Sequence, residues 1–142
     1  MQNEEKRGLA IMIAAKLLYR QYKWAGDDPI EGFDCSGIVI EILKSIGTLP
    51  REGDWSANDL AHAFKSEGVF EPGDLVFYDW NLDGKMDHVE MVYKKLRTGE
   101  ILTIGASGGD ATTKTEDIAS AQNAYIKIRP MRLEYAKVRN PF

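Results

Sequence analysis

The sequence predicts an α+β fold in which helices at the start of the chain pack on a small antiparallel β-sheet. Apolar residues recur at helical spacing up to about residue 65, whereas the segments after Pro72 resemble strands. Helices followed by strands favour the α+β class. The length of 142 residues fits a single domain, residues 1–142, with one hydrophobic core.

The first predicted helix runs from about residue 4 to residue 22. Leu9, Ile13 and Leu17 follow one another at intervals of four, which places them on one face of this helix. The sequence WAGDDPIEGF, residues 24–33, is predicted to be a loop because Gly and Pro interrupt the apolar pattern.

Two further helices are predicted before the strands begin. The second helix begins after Asp34, a residue type favoured at the N-cap, and ends at Gly47. Its many apolar side chains indicate burial, and Cys35 falls in its first turn. A third, shorter helix is predicted over residues 56–65, with Ser56 as its N-cap.

Four later segments are predicted to be strands because they are rich in β-branched and aromatic residues. They are residues 74–80, 88–95, 101–107 and 124–133. We expect the helix that carries Cys35 to pack on the antiparallel sheet that these strands form.

Composition and charge exclude several classes of function. The net charge is −4 and the Lys and Arg residues are scattered, so no nucleic-acid partner is expected. A single cysteine allows neither an intrachain disulfide nor a zinc site built from several cysteines. No apolar run approaches the roughly 20 residues of a membrane span. The apolar residues 9–15 are interrupted by Lys16 and follow acidic residues, which is not typical of a signal peptide.

The lone cysteine, Cys35, is a candidate nucleophile. A helix N-terminus favours a thiolate because its unpaired N–H groups and its dipole stabilise negative charge. His88 begins a predicted strand after a turn-rich loop, so its imidazole can face a cleft and act as the general base. The alternatives are a cysteine that fills the core and a histidine on the surface. His62 lies inside a predicted helix and is assigned no role.

Three motifs occur in a fixed order along the chain. The first combines YKWAG and GFDCSG within residues 22–37, the second is PGDLVF over residues 72–77, and the third is DHV over residues 87–89. Together they resemble the NlpC/P60 family of papain-like cell-wall cysteine peptidases, and the resemblance spans residues 22–107. It implies a papain-like NlpC/P60 fold, with Cys35 as the nucleophile and His88 as its catalytic partner.

The resemblance also implies substrate-binding roles for residues near the thiol. Tyr22 and Asp34 would flank Cys35, with Asp34 facing the amino group of a short peptide. Ser36 would line the same pocket. The residues alone leave other roles open, because Asp34 also suits a helix cap, Tyr22 a core position and Ser36 a polar first turn.

The chain departs from the family at two positions. The family usually has a third polar residue, most often His, on the strand after the catalytic histidine, whereas this chain has Gly105 there. Thr103, Ser107 or a backbone carbonyl would then orient the imidazole, or activity would be weak or absent. Glu90 replaces a small residue and points to the same side as His88 by strand alternation. It is interpreted as a substrate-binding residue that narrows the cleft, favours an amine-bearing substrate or binds another group.

These observations lead to the hypothesis of a cysteine peptidase or amidase that hydrolyses amide bonds in peptidoglycan stem peptides and requires no cofactor. One alternative is an inactive NlpC/P60-like module that is structural or binds peptides, which Gly105 favours. The other is a thiol acyltransferase or deamidase. Synthesis in the cytoplasm without a signal peptide is expected, so the protein would reach the cell wall after lysis, by injection as an effector, or as a phage component. The sequence indicates neither the bond cleaved nor the oligomeric state.

The loop before His88 contains a pattern of calcium ligands. Residues 79–90 satisfy the pattern DxNxDGxxDxxE, in which oxygen ligands alternate along a short loop. The candidate ligands are the side chains of Asp79, Asn81, Asp83 and Asp87 and the carbonyl of Lys85. A structural calcium ion would fix the loop that presents His88. The alternative is an acidic hairpin turn built on residues 83–84.

Overall fold

The computed structural model describes residues 2–23, 26–28, 32–66, 69–109, 112–132 and 136–142. The helices are α1 (Asn3–Lys16), α2 (Cys35–Ser45), α3 (Ala57–Ala63) and α4 (Glu116–Ala121). The strands are β1 (Asp27–Asp28), β2 (Gly32–Phe33), β3 (Lys65–Ser66), β4 (Leu75–Tyr78), β5 (His88–Lys95), β6 (Ile101–Ser107), β7 (Tyr125–Pro130) and β8 (Ala136–Asn140). Among the helices described, none combines the length and the apolar character that a membrane crossing requires.

Six of these strands form one antiparallel sheet in the order β3-β8-β4-β5-β6-β7. The other two, β1 and β2, pair as a short hairpin that leads into α2. The predicted α+β class, with helices packed on an antiparallel sheet, is confirmed. β5 lies near the middle of the sheet, and its first residue, His88, pairs with Tyr78 at the end of β4.

Burial of the apolar face of α2 places the thiol beside the sheet. Ile38 and Ile42 are 1% exposed and belong to the same core cluster as Val89 of β5. A large aliphatic side chain contributes roughly 1.5–3 kcal/mol on full burial, so these contacts hold the helix firmly on the sheet. The first turn of α2, with Cys35, is thereby fixed near the start of β5.

The first helix differs from the prediction in its end. It ends at Lys16 rather than near Tyr22, and Tyr19 has a φ angle of 70°. The N–H groups of Tyr19 and Tyr22 donate to the carbonyls of Ile126 and Ala124, respectively. Hydrogen bonds to the segment around β7 therefore replace the last predicted helical turn.

The buried face of α1 is also different from the one predicted. Ala10 and Ala14 are fully buried, whereas Leu9 and Ile13 are only partly buried. Leu17, just after the helix, is buried as predicted. The predicted face was thus rotated by about one residue, because apolar size alone does not show that small alanines lie at the closest contact.

The sequence predicted some of the remaining elements with the correct bounds and others with wrong bounds or not at all. β5 and β6 have the predicted bounds, and α3 begins after Ser56, which forms the predicted cap. β4 and β7 are shorter than predicted, and the predicted loop of residues 24–33 contains the hairpin of β1 and β2. The sequence did not predict β3, α4 or β8. Trp24, Ala25 and Leu133, which the motifs and predicted segments included, lie outside the described residues.

Candidate active site

Cys35 is the first residue of α2 and is partly buried. The preceding residue, Asp34, caps the helix: its Oδ1 accepts a hydrogen bond from the backbone N–H of Gly37 at 2.7 Å. The hydroxyl of Ser36 donates to the same oxygen at 3.3 Å. The predicted cap is confirmed, and Cys35 lies at the N-terminus of the helix as predicted.

Gly37 allows the chain before α2 to lie against the first turn. A Cβ atom at this position would overlap the carbonyl oxygen of Gly26. That oxygen accepts a hydrogen bond from the backbone N–H of Asp34 at 3.0 Å. A side chain at residue 37 would therefore displace the segment that holds the helix start, which gives a physical reason for the glycine in the DCSG motif.

His88 is held at the start of β5 by aromatic rings. Its side chain is 15% exposed, and its ring centroid lies 6.1 Å from that of Trp80. Trp80 in turn stacks on Tyr78, with ring centroids 4.7 Å apart. The sequence analysis did not identify these two rings, although the short spacing from Tyr78 to Trp80 and the hairpin that follows are a signal for them. The rings form one wall beside the imidazole.

Cys35 and His88 line the same cleft. Burial by itself would lower the pKa of His88, but the interactions with Cys35 and Glu90 outweigh it and raise the pKa to about 9. The imidazole is therefore positively charged at neutral pH. A charged imidazole beside a thiol is the arrangement that a thiolate–imidazolium pair requires.

Glu90 lies two residues beyond His88 on the same strand, and its side chain is only 3% exposed. Its Oε2 lies 3.5 Å from Nε2 of His88, and its Oε1 accepts a hydrogen bond from the Thr103 hydroxyl at 3.2 Å. Burial acts to raise the pKa of Glu90, yet His88, Arg129 and Thr103 together hold it below its ordinary value. The carboxylate is therefore ionised beside the imidazole.

At the position on β6 where a third polar residue was expected, the side chain of Glu90 lies against Gly105. A Cβ atom on Gly105 would lie 2.9 Å from Cγ of Glu90, so the glycine leaves the room that the glutamate fills. Thr103 donates to Glu90, and the Ser107 hydroxyl accepts a hydrogen bond from Nη1 of Arg129 at 2.9 Å. Both hydroxyls that were considered as orienting groups thus have other partners. Glu90 is buried beside the imidazole and lines the same part of the cleft as Lys127 and Arg129, and a role in substrate binding stays a prediction.

The cleft is acidic on one side of His88 and basic on the other. The side that contains Cys35 and Ser36 is also lined by the carboxyl-bearing residues Asp34, Asp54, Asp59 and Asp87. The opposite side is lined by Lys127, Arg129 and Arg132. Tyr22, which is 6% exposed, lines both sides, so three of the predicted substrate-binding residues, Tyr22, Asp34 and Ser36, do lie beside Cys35. The basic residues were missed, although Lys127 and Arg129 alternate along a predicted strand.

The loop before His88 brings the aspartates of the calcium pattern together. Carboxylate oxygens of Asp79, Asp83 and Asp87 lie within 4.8 Å of one another. Asp79 also accepts hydrogen bonds from the backbone N–H groups of Asp83 and Gly84, at 3.2 Å and 2.8 Å. These bonds close the loop as the acidic turn would. Asn81 and Lys85 are exposed, and the calcium site stays a prediction.

The profile of the NlpC/P60 family matches residues 19–138. The chain therefore belongs to this family. The resemblance drawn from the three motifs is confirmed, and the matched region contains every residue of the candidate site.

Several NlpC/P60 relatives are similar over about half of the chain. Murein DD-endopeptidase MepH of Escherichia coli (strain K12) is 36% identical over 74 residues, which are 49% of this chain and 27% of that protein. The bifunctional muramidase/DL-endopeptidase CwlT of Bacillus subtilis (strain 168) is 40% identical over 75 residues, 51% of this chain and 22% of that protein. The gamma-DL-glutamyl hydrolase of the same organism is 38% identical over 74 residues, 49% of this chain and 17% of that protein. The aligned part thus covers about a quarter or less of each relative.

Solved structures confirm the papain-like NlpC/P60 fold. An NlpC/P60 family protein from Bacillus cereus ATCC 10987 superposes with a TM-score of 0.70 at 24% identity, over 94% of this chain and 39% of that one. The peptidoglycan hydrolase RipB from Mycobacterium tuberculosis gives a TM-score of 0.70 at 22% identity, over 98% of this chain and 66% of that one. At these identities the likeness shows the fold alone.

Proposed function

We propose that this chain is a cysteine-type hydrolase that cleaves an amide bond in peptidoglycan stem peptides. The observation that carries the proposal is the pairing of Cys35, at a capped helix N-terminus, with a His88 imidazole whose pKa is raised to about 9. The relatives named as endopeptidases and as a gamma-DL-glutamyl hydrolase support the substrate class. Their names describe different bonds, so they do not select the bond that this chain cleaves.

In the proposed reaction Cys35 is the nucleophile and His88 is the proton donor. The Cys35 thiolate attacks the carbonyl carbon of the scissile amide, and a tetrahedral oxyanion forms. His88 donates its proton to the leaving nitrogen, the C–N bond breaks, and a thioester remains on Cys35. The neutral imidazole then takes a proton from water, whose oxygen attacks the thioester. The thiolate leaves, the peptide carboxylate is released, and His88 is again charged.

The two sides of the cleft suggest how a wall peptide is oriented. Stem peptides carry free amino and carboxyl groups, and opposite charges attract across a narrow cleft. Asp34 and its acidic neighbours are suited to a substrate amino group on the thiol side. Arg129 and Arg132 are suited to a carboxylate on the other side of His88. A bound peptide would then present its amide to the thiol in one direction only.

A digest of purified peptidoglycan tests the proposed function. The wild-type protein should release peptide fragments that mass spectrometry identifies, and Cys35→Ala and His88→Ala should release none while remaining folded. His62→Ala is the matched control, because His62 is exposed on α3 and outside the cleft. Identical fragments from wild type and Cys35→Ala, or no fragments from the wild type, would contradict the proposal.

The two alternative functions receive no support from the described residues. The inactive module was favoured by the missing side chain at Gly105, but Glu90 occupies that space beside the imidazole. Acyl transfer and deamidation would use the same thiol chemistry. Adding a primary amine to the digest would identify acyl transfer, because a transferase would join the amine to the acyl group and a hydrolase would release the free acid. Deamidation would release ammonia without cleaving the peptide.

A further inference from the structure

We propose that Glu90 is the residue that positions the His88 imidazole, and that residue 105 is glycine because a side chain there would exclude Glu90. The inference rests on the proposed function, since it names the third polar group of the same site. It assigns to β5 a role that the resemblance placed on β6.

The carboxylate of Glu90 is aimed at the imidazole. Its Oε2 lies 3.5 Å from Nε2 of His88, and this oxygen has no hydrogen-bond partner among the described residues. The other oxygen is held by the hydroxyl of Thr103 at 3.2 Å, which fixes the side chain in one orientation. Because Glu90 faces Nε2, the Nδ1 atom is the ring nitrogen left for Cys35. The contact thereby determines which edge of the ring faces the thiol.

Space for this arrangement is supplied by β6. A Cβ atom on Gly105 would lie 2.9 Å from Cγ and 3.3 Å from Cβ of Glu90. Contacts this short, with the part of the side chain nearest the backbone, cannot be relieved by rotating its far end. A side chain at residue 105 and a glutamate at residue 90 therefore exclude each other. The two departures from the family pattern, glutamate at residue 90 and glycine at residue 105, therefore compensate each other.

The electrostatic surroundings support an ionised Glu90. A buried carboxylate is costly unless it is paired with a positive charge and accepts hydrogen bonds. The positive charges are His88 on the same strand and Lys127 and Arg129 on β7, and the hydrogen bond comes from Thr103 on β6. On β4, burial and the Glu90 charge raise the pKa of Tyr78 to about 12, so its phenol stays neutral. The groups around Glu90 thus stabilise its charge.

The first test measures His88 directly and does not depend on activity. The chain has 2 histidines, so a proton–carbon NMR titration resolves His88, with the exposed His62 as an internal control. Glu90→Gln keeps the shape of the side chain and removes its charge. We expect the pKa of His88 to fall by about one to three pH units, the effect of losing an adjacent opposite charge, while His62 does not change. An unchanged His88 titration in folded Glu90→Gln would overturn the proposal.

The second test uses kinetics to separate positioning from packing. Glu90→Gln should lower kcat by roughly 100-fold with little change in KM, a loss within the contribution of a positioned acid–base group. The alkaline limit of kcat/KM should move toward lower pH together with the NMR titration. Glu90→Asp, which keeps the charge, should retain more activity than Glu90→Gln. Equal activities for these two variants would mean that the charge of residue 90 plays no part.

The third test moves the polar side chain from residue 90 to residue 105. Gly105→His alone should give no gain in turnover, because the new side chain meets Glu90. The double variant Glu90→Gly, Gly105→His should have a kcat at least about ten-fold higher than that of Glu90→Gln. No recovery in a folded double variant would contradict the idea of a compensated exchange. A wild-type protein without hydrolytic activity would refute the proposed function, whereas the NMR comparison would still decide the role of Glu90.

Discussion

Raising the pH should remove the stabilisation that the protonated His88 imidazole gives to the folded state. The pKa of His88 in the folded state is about 9, against an ordinary value of 6.5, so the folded state binds this proton more tightly than the unfolded chain. The stabilisation is fully present below about pH 6.5 and is lost as the pH rises through about 9. The difference between these two values corresponds to about 3 kcal/mol of folding free energy. Release of a proton from Cys35 on folding would offset this loss, so the measurement uses Cys35→Ser protein, in which residue 35 does not titrate.

Urea unfolding from about pH 6 to about pH 10 measures this contribution. Cys35→Ser and the control Cys35→Ser, His62→Gln should lose up to about 3 kcal/mol more over this range than Cys35→Ser, His88→Gln, which cannot bind the proton. The stabilities of Cys35→Ser and of Cys35→Ser, His88→Gln should therefore converge at the alkaline end. Parallel curves would show that Glu90 does not hold a proton on His88 in the folded state, and the case for a charged imidazole would fail with them.

Three further predictions concern the groups around this imidazole. Iodoacetamide should alkylate Cys35 quickly in the native protein at neutral pH, because the helix N-terminus and the charged imidazole favour the thiolate; reaction only after denaturation would indicate a packing role. Gly105→Ala should lower the free energy of unfolding by about 1–3 kcal/mol through its contact with Glu90. The same change should cost much less beside Glu90→Gly, and equal losses in urea unfolding would contradict this explanation. On the calcium hypothesis, millimolar calcium should raise the Tm of chelator-treated protein, and Asp79→Asn and Asp83→Asn should abolish the rise; an unmoved Tm and no calorimetric binding heat would leave the acidic turn.

The part of the site that was predictable from the sequence depends on local patterns. Asp34 and Cys35 lie at the start of an apolar helix, and such a start is set by capping within a few residues. The alternation of side chains along β5 places His88 and Glu90 on one side of the strand, as predicted. The order of the three motifs then identified the family without knowledge of long-range contacts.

The unpredicted part depends on contacts between segments far apart in the chain. The helical pattern continues past Lys16, but hydrogen bonds from Tyr19 and Tyr22 to the segment around β7 end the helix. Helix propensity is a weak preference that such tertiary contacts override. The role of Glu90 was missed for the same reason, because its neighbours Thr103 and Arg129 come from two other strands.

A bulge in β5 explains why the relation between Glu90 and Gly105 is not visible in the sequence. Pairing of β5 with β6 begins at Lys95 and Ile101, but the register shifts between Val92 and Lys94. Without this extra residue, counting back from the hairpin turn would place Glu90 opposite Ala106. With it, Glu90 comes to lie against Gly105, where the missing side chain accommodates the carboxylate. A bulge beside an active site re-aims the side chains near it. Here it makes the glutamate and the glycine neighbours, so a change at either position alters the space available to the other.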